Sequence, residues 1–238
     1  MITNQTTDFS GLDFSAGESI LIDKPIEFTS FKVIHIIRKA INVKRVGHTG
    51  TLDPLATGLL IILTGKNTKL MNDFLGLEKS YSGTILLGKT SPSMDTETKT
   101  ETREIPSGLN EELILKTRDK FLGNISQLPP MYSALKVGGK KLYELARKGR
   151  TIKREPRVVN VSRFEITKID LPEIHFEIDC SKGTYIRVLA NDFGDTIGCG
   201  GIISSLRRTA IGDYKVENAL NLKEFTERAA VQNKGKLK

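Results

Sequence analysis

Residues 47–60 read GHTGTLDPLATGLL and form the most informative stretch of the chain. Its glycines surround one histidine, His48, and one aspartate, Asp53. Pro54 disfavours the helical region for Asp53, and glycine allows close approach of another backbone or a ligand. The pattern predicts a loop over Gly47–Gly58 that presents the Asp53 carboxylate in a constrained geometry. The alternative interpretation is that Asp53 only forms a turn before a proline.

The segments around this loop indicate a cytosolic enzyme or binding protein. The apolar run Leu59–Leu63 predicts a buried segment before Gly65, and it is far shorter than the roughly 20 residues that span a bilayer. Residues Met1–Ser19 hold no lysine or arginine and no apolar core, so they are not a signal peptide. Cys180 and Cys199 lack metal-ligand spacing and are interpreted as reduced thiols.

Hydrophobic periodicity and capping residues predict one α+β domain with an inserted basic element. The predicted strands cover Ser19–Asp23, Tyr81–Gly88, Val158–Ile169 and Ile174–Cys180, and the predicted helices begin near Thr29 or Ser30, Asn110, Lys140, Leu189 and Asn221. The first 18 residues are expected to be a flexible extension. The threonine-rich stretch Thr90–Pro106 is expected to be a solvent-exposed connection.

The charge is concentrated in one segment. The chain has 36 basic and 28 acidic side chains, a net charge of +8. Tyr132–Arg157 contributes +7 of this and the rest of the chain +1. Two tyrosines, and a glycine pair beside Lys140 and Lys141, favour a mobile element that contacts phosphates and stacks on bases. The alternative is an ordinary solvated face.

A second candidate segment is Cys180–Arg187, which reads CSKGTYIR. An extended conformation over Thr184–Val188 would place Tyr185 and Arg187 on the same face. An arginine beside Asp53 would keep that carboxylate ionised and hold it through two hydrogen bonds, although a plain surface arginine is the alternative. Gly65-Lys66 lacks the remaining residues of a phosphate-binding loop, and no zinc-protease or serine-hydrolase motif occurs.

These segments together resemble the TruB family of tRNA pseudouridine-55 synthases, which isomerise the uridine of the T-arm loop. The resemblance covers about Ser19–Leu222, and GHTGTLDPLATGLL is its strongest mark. The supporting segments are LIDKP, KSY, PPMYSALKVGGKKLYELARKG, CSKGTYIRVLANDFG and SLRRTAIGDY. The resemblance implies a pseudouridine-synthase fold, in which helices flank a mixed, largely antiparallel sheet and a basic element clamps the RNA.

The resemblance also implies roles for individual residues. Asp53 matches the essential catalytic aspartate, and Arg187 matches its ion-pairing arginine. Tyr81 matches the tyrosine that stacks on the target base, and its hydroxyl is a candidate acceptor for the proton on C5. His48 matches the histidine used against the RNA near the extruded base.

The remaining implied sites bind substrate. Tyr185 and Leu206 match residues that line the uridine pocket. Lys136, Lys140 and Lys141 belong to the basic insertion, at about residues 124–157, which closes over the T-arm when RNA binds. No cofactor is implied.

The expected domain organisation is a catalytic domain over residues 19–238. Many family members carry a C-terminal RNA-binding PUA domain, and the roughly 16 residues after Leu222 are too few to form one. Affinity is therefore expected to depend more on the basic insertion. The expected partner is the T-arm stem-loop of tRNA, bound by a cytoplasmic monomer that contacts no membrane and no other protein.

The mechanism and the function leave alternatives open. Asp53 either attacks C1′ or removes the 2′ proton on the way to a glycal. A different class of function is a T-arm RNA-folding chaperone with secondary catalysis. A third possibility is a related synthase that acts on another RNA or within a guide-RNA complex.

Overall fold

The structure, a computed structural model, describes the backbone of residues 1–235 and the side chains up to Val231. It has two compact units where the sequence predicts one domain over residues 19–238. Unit 1 comprises residues 1–80 and the chain from Arg207 onward, and unit 2 comprises Tyr81–Leu206. Each unit has its own hydrophobic cluster. Residues 236–238 lie outside the described residues.

Both units combine helices and strands. The helices are α1 (Ser30–Ile41), α2 (Met71–Gly76), α3 (Glu111–Asp119), α4 (Leu142–Ala146), α5 (Ile186–Ile197) and α6 (Leu222–Gly235). Short 3₁₀ turns cover Gly65–Leu70 and Val216–Asn218. The strands are β1 (Ser19–Lys24), β2 (Val46–His48), β3 (Thr57–Thr64), β4 (Lys79–Leu87), β5 (Lys89–Thr90), β6 (Glu101–Thr102), β7 (Gly123–Gln127), β8 (Lys136–Val137), β9 (Lys140–Lys141), β10 (Arg157–Asp170), β11 (Glu173–Cys180), β12 (Gly201–Ile211), β13 (Tyr214–Lys215) and β14 (Leu220–Asn221).

The sheet of unit 1 is centred on strand β3. Its order is β14–β1–β3–β12, with β2 paired to β3 and β13 paired to β12. Strand β3 is antiparallel to β1 and β2 and parallel to β12. Leu60 and Ile62 pack in one hydrophobic cluster, and Leu59, Ile61 and Leu63 pack in another. Both faces of β3 are therefore covered, and the apolar run that follows the glycine-rich loop is completely buried, as the sequence predicts.

Helix α1 confirms the predicted amphipathic pattern. The Thr29 hydroxyl caps the helix by accepting a hydrogen bond from the Lys32 amide at 3.0 Å. The buried face is formed by Val33, Ile34, Ile37 and Ile41. The helix ends at Asn42, which adopts the left-handed conformation.

The N-terminal residues are packed in unit 1, which corrects the expectation of a flexible extension over residues 1–18. The Phe9 ring lies 5.6 Å from that of Phe225 in α6 and 6.0 Å from that of Phe14. Ile2 forms a bridge with Ile20 of β1. The segment has few apolar residues, but these contact partners distant in sequence, so local composition does not indicate their burial.

The strands of unit 2 follow the order β4–β11–β10–β7, and the first part of β12, up to Leu206, pairs with β4. Strand β11 alternates buried and partly exposed residues, as predicted. Phe164, Phe176 and Phe193 pack against one another in the core. The predicted exposed connection Thr90–Pro106 is wrong in part, because its Ser93 and Asp95 are buried.

Helix α5 begins at Ile186 and not at Leu189. Ile186, Leu189 and Phe193 recur at helical spacing and are all buried, so packing extends the helix toward its N-terminus. Arg187 therefore lies in the first helical turn, and its predicted alternation with Tyr185 along an extended segment is wrong.

The expected α+β class with a mixed, largely antiparallel sheet is confirmed. The insertion is shorter than the predicted residues 124–157, because Gly123–Gln127 forms β7 and pairs with the start of β10. Within the described residues, no helix is both long enough and apolar enough to cross a membrane.

The packing of the N-terminal segment can be tested by Phe9→Ala. Phe9 is 2% exposed, so truncation should leave a cavity and lower the free energy of unfolding by about 3–5 kcal/mol. Urea unfolding measures the change. Phe31→Ala is the matched control, because Phe31 is 68% exposed and should change stability little. Equal effects of the two substitutions would contradict the burial of the segment.

Candidate active site and RNA interface

The loop that carries Asp53 is shorter than the predicted Gly47–Gly58, because β2 ends at His48 and β3 begins at Thr57. The Thr49 amide donates to the Ile61 carbonyl at 3.1 Å, and the Ala56 amide donates to the Asp53 carbonyl at 3.1 Å. The loop is therefore short and hydrogen-bonded at both ends.

Both peptide neighbours of Asp53 are held by groups from other elements. The Ser30 hydroxyl accepts from the Leu52 amide at 2.9 Å and donates to the Leu52 carbonyl at 3.1 Å. On the other side, the Pro54 carbonyl accepts from the Glu27 amide at 2.8 Å and from the Lys24 ammonium at 3.3 Å. These bonds restrict the backbone immediately before and after the carboxylate-bearing residue.

Lys24 is fully buried beneath this loop. Its ammonium also donates to the Pro25 carbonyl at 2.9 Å and the Phe28 carbonyl at 2.7 Å, so three carbonyl oxygens match its three N–H donors. Burial lowers the pKa of Lys24 to about 8, an effect that the negative charge of Asp53 partly opposes. Lys24 belongs to the LIDKP segment, and the sequence pattern alone indicates no role for it.

Arg208 is a second buried cation at the loop. Its guanidinium donates to the Leu59 carbonyl at 2.8 Å and to the Gly50 carbonyl at 3.1 Å. Gly58 has φ +103°, and a Cβ there would lie 2.3 Å from the Arg208 carbonyl oxygen. Glycine is therefore required at position 58 for the close approach of the two strands.

The neighbouring Arg207 forms an ion pair with Asp23 of β1. Its two terminal nitrogens lie 3.0 and 2.6 Å from the two carboxylate oxygens, which is bidentate geometry. This pair and Arg208 explain structurally why two adjacent arginines occur in the SLRRTAIGDY segment.

His48 lies half-buried at the end of β2. Burial lowers the pKa of the imidazole, and the positive charge of Arg208 lowers it further. The ring is therefore neutral at pH 7. It can offer hydrogen bonds and stacking to a ligand but no charge.

Arg187 is buried in unit 2 and is bound by a segment that sequence analysis predicts to be exposed. Its guanidinium donates to the Ser93 carbonyl at 2.6 Å and to the Tyr132 carbonyl at 2.7 Å. Its Nε lies 3.6 Å from Oδ2 of Asp95, which is also buried. Arg187 thus connects the start of the basic segment to the Asp95 segment.

Asp95 is a functional candidate that sequence reasoning missed. The Ser91 hydroxyl donates to the Asp95 carbonyl at 2.6 Å, and the Ser93 and Thr98 hydroxyls lie 2.7 Å apart. Polar side chains of SPSMDTET therefore bond to one another and to its backbone, which allows Ser93 and Asp95 to be buried. The many serines and threonines of this segment could have indicated a hydrogen-bonded turn, because their side chains bond to backbone groups in turns.

Tyr81, Leu206 and Tyr185 also lie in unit 2. Tyr81 in β4 and Leu206 in β12 belong to neighbouring strands and are partly buried against the same hydrophobic cluster. Tyr185 precedes α5, and its backbone exchanges hydrogen bonds of 3.0 and 3.2 Å with the Gln127 side chain. The candidate residues are therefore distributed over both units. Unit 1 contains His48 and Asp53, and unit 2 contains Tyr81, Tyr185, Arg187 and Leu206.

The basic segment contains a short hairpin. Strands β8 and β9 pair Lys136 with Lys141, and Gly138 and Gly139 form the turn with φ values of +58° and +80°. Positive φ at both positions suits glycine and is typical of a tight hairpin turn. The predicted helix from Lys140 instead begins at Leu142, because Lys140 and Lys141 belong to β9.

The hairpin is anchored while most of its cations remain exposed. Leu142 is buried, and its amide donates to the Leu135 carbonyl at 2.9 Å. Lys136 and Lys140 are exposed, whereas Lys141 is half-buried, with its ammonium 3.5 Å from the Tyr143 hydroxyl. A rigid base with exposed ammonium groups and a nearby aromatic ring is suited to a polyanion.

Comparison with known proteins identifies the class to which this fold belongs. The chain is similar to a structure described as a Cbf5-Nop10-Gar1 complex, with a TM-score of 0.69 and 26% identity over 92% of this chain and 62% of that one. The tRNA pseudouridine synthase B of Flavobacterium johnsoniae is 46% identical over 90% of this chain and 97% of that protein. The corresponding protein of Phocaeicola vulgatus is 42% identical over 91% of this chain and 94% of its own length. These similarities show that the chain has the fold of a pseudouridine synthase.

Two family models then identify the family. Residues 38–186 match the N-terminal domain of the TruB family pseudouridylate synthases, and residues 187–238 match the tRNA pseudouridylate synthase B C-terminal domain. The chain belongs to the TruB family. It is an isomerase that acts on uridine in tRNA.

The buried ammonium predicts an alkaline limit to activity. Above pH 8, Lys24 becomes an amine with two N–H donors, so one of its three carbonyl contacts weakens and the positive charge near Asp53 is lost. The rate of pseudouridine formation under single-turnover conditions should therefore fall with an apparent pKa of about 8. The Lys24→Met variant should form pseudouridine about tenfold more slowly than the wild type, and its rate should not decrease around pH 8.

Stability should respond to pH in the opposite direction. The folded-state pKa of Lys24 is about 8, below the ordinary 10.5, so the unfolded chain binds more protons between these values. The contribution of Lys24 to stability then rises with pH in this window. Thermal melts of the same samples separate loss of activity from unfolding. An identical alkaline limb in Lys24→Met would contradict the assignment.

Proposed function

We propose that this enzyme isomerises the uridine of the T-arm loop, position 55 of tRNA, with Asp53 as its essential carboxylate. The observation that carries the proposal is the restraint on Asp53, whose two peptide neighbours are bound by Ser30, Glu27 and Lys24. A carboxylate that acts on one atom of a ribose needs such a defined position, because small displacements of a reacting group cost large factors in rate.

The reaction rearranges bonds without a change of oxidation state. The N1–C1′ bond breaks, the uracil rotates, and a C5–C1′ bond forms, while C5 loses a proton and N1 gains one. Asp53 acts either as the nucleophile at C1′ or as the base that takes the 2′ proton. Both routes start from the ionised carboxylate.

The target base has to leave its stack in the folded RNA. Extrusion costs a few kcal/mol, and stacking of the uracil on Tyr81 offsets about 1–3 kcal/mol. The neutral His48 occupies the space near the extruded base, and Tyr185 and Leu206 line the uridine pocket. The Tyr81 hydroxyl is the proposed acceptor for the C5 proton.

Arg187 is proposed for the electrostatic role that the family resemblance implies, the stabilisation of negative charge on the reacting carboxylate. Its guanidinium is buried and oriented by Ser93, Tyr132 and Asp95. A cation held in this way needs no reorganisation during the reaction. Asp95 is proposed as a positioning residue that acts through Arg187.

Lys136, Lys140 and Lys141 are proposed to hold the phosphates of the T-arm and to close over it. We further propose that the enzyme works as a monomer in the cytoplasm and needs no other protein. The phosphates of a T-arm stem-loop can bind the exposed lysines of the hairpin without the help of a second protein.

The catalytic role of Asp53 is tested by release of tritium from tRNA labelled at uridine C5. Asp53→Asn keeps the size of the side chain and removes its charge, so release should fall below detection, while Asp213→Asn, on an exposed turn of unit 1, should keep the wild-type rate. Release equal to wild type in Asp53→Asn would exclude this aspartate from the chemistry.

The position of the target is tested with a second tRNA in which the T-loop uridine is replaced by cytidine. The wild type should release no tritium from it. Continued release would show that another uridine is the substrate. A T-arm refolding assay that Asp53→Asn passes unchanged would show that an RNA-folding function is separable from catalysis.

The role of the basic hairpin is tested by Lys140→Ala/Lys141→Ala. Loss of two phosphate contacts should weaken tRNA binding and lower the slope of log K against log[salt] by about 1.5–2. Lys116→Ala/Lys120→Ala is the control, because both lysines are exposed around the end of α3. A salt slope unchanged by the hairpin variant would indicate an ordinary solvated face.

A further inference from the structure

A second basic segment lies in the part of the chain outside Tyr132–Arg157, whose overall net charge is only +1. Residues 28–52 contain five lysine or arginine side chains and no aspartate or glutamate. The acidic residues that balance them occur elsewhere in the chain. The segment comprises helix α1, the connection Asn42–Arg45, strand β2 and the start of the Asp53 loop.

Polar and aromatic side chains of this segment are exposed on α1 and on the connection that follows it. Phe31, His35 and Lys39 recur at intervals of four on the side of α1 opposite its buried face, and Lys32 lies beside them. Beyond the helix end, Lys44 and Arg45 are exposed as well. We call these six residues the α1 face.

Phe31 is the unusual member of the α1 face. It is 68% exposed, although burial of a phenylalanine is normally worth about 1.5–3 kcal/mol. It directly follows Ser30, the residue that binds both backbone groups of Leu52 next to Asp53. An exposed aromatic ring on a helix face that also carries Lys32 and Lys39 thus lies one residue from Ser30, which restrains the candidate catalytic loop.

We propose that the α1 face is a second RNA-binding surface, in which the cations hold the sugar-phosphate backbone of the tRNA substrate and Phe31 stacks on a base or ribose. The proposal rests on the proposed function, because it assumes that tRNA is held next to Asp53. It adds a contact surface distinct from the basic hairpin and located in unit 1.

Charge complementarity favours RNA as the occupant. The cations extend along α1, which is about 18 Å long at 1.5 Å per residue, and onto the connection that follows. No carboxylate in this segment competes for them. Such a row matches a polyanion with regularly spaced charges, and the ring among them matches the stacking that single-stranded or terminal bases provide.

The decisive experiment measures tRNA binding against salt in the full-length protein carrying Asp53→Asn, which prevents turnover. Lys32→Ala/Lys39→Ala/Lys44→Ala should lower the slope of log K against log[salt] by about 2–3, because three phosphate contacts are lost. The control Lys116→Ala/Lys120→Ala/Lys223→Ala removes three exposed lysines from other elements and should leave the slope unchanged.

Phe31 provides an independent readout. Phe31→Ala should weaken tRNA binding by about 5- to 100-fold with an unchanged salt slope, and Phe31→Tyr should restore it, because stacking and not charge is lost. A photo-crosslinking residue at position 31 should couple to tRNA. Circular dichroism confirms that each variant is folded, which is expected for exposed positions.

Two results would overturn the inference. One is a salt slope of the α1 variant equal to that of the control. The other is a wild-type dimer in sedimentation that Phe31→Ala converts to monomer without loss of tRNA affinity, since the face would then bind a second copy of the chain. Failure of the proposed function can be distinguished from failure of this inference. The first would appear as tritium release from a uridine other than that of the T-loop. The second is decided by the slope of log K against log[salt] in the α1 variant.

Discussion

The geometry of the candidate active site depends on the hydrogen bonds that hold Leu52 and Pro54, the residues on either side of Asp53. The Ser30 hydroxyl binds Leu52, and the Lys24 ammonium and the Glu27 amide bind Pro54. These groups come from β1, the β1–α1 connection and α1, so the loop acquires its shape only when unit 1 has folded. The eight-residue loop 49–56 contains no helix or strand, so few hydrogen bonds within the loop itself define its shape. The surrounding elements supply the order that a reacting carboxylate requires.

The cations discussed above fall into two groups, those that are buried and those that are exposed. Lys24 and Arg208 are buried and satisfied by backbone carbonyls, so their charge is not cancelled by direct ion pairs and acts on the loop through space. The charge of Arg208 adds to the effect of burial in lowering the pKa of His48. The exposed cations on α1 and in the hairpin are instead available to solvent and ligands. One set shapes the site, and the other suits a polyanionic substrate.

The sequence predicted the parts of the fold that repeat locally. Helix α1, strand β11 and the buried run of β3 follow from periodicity. The glycine pair predicted only a mobile element, and the hairpin turn that it forms is seen in the structure alone. The sequence did not show the burial of Phe9, Asp95 or Lys24. Each depends on a partner far along the chain, such as Phe225 for Phe9 and Arg187 for Asp95. A polar segment in an exposed turn and a polar segment that packs against a buried guanidinium have similar local compositions, so composition does not distinguish them.

The choice of ligands around Lys24 has a consequence for the chemistry. A lysine that donated its protons to a carboxylate would reduce the basicity of that group, which is unsuitable for a nucleophile or a base. Here the three donors are directed to the carbonyls of Pro25, Phe28 and Pro54, while Asp53 interacts with the ammonium through charge. The same cation therefore orients the backbone of the loop and places a positive charge near the Asp53 carboxylate. Because burial opposes the charge that this arrangement requires, the site is maintained only while the Lys24 ammonium keeps its third proton.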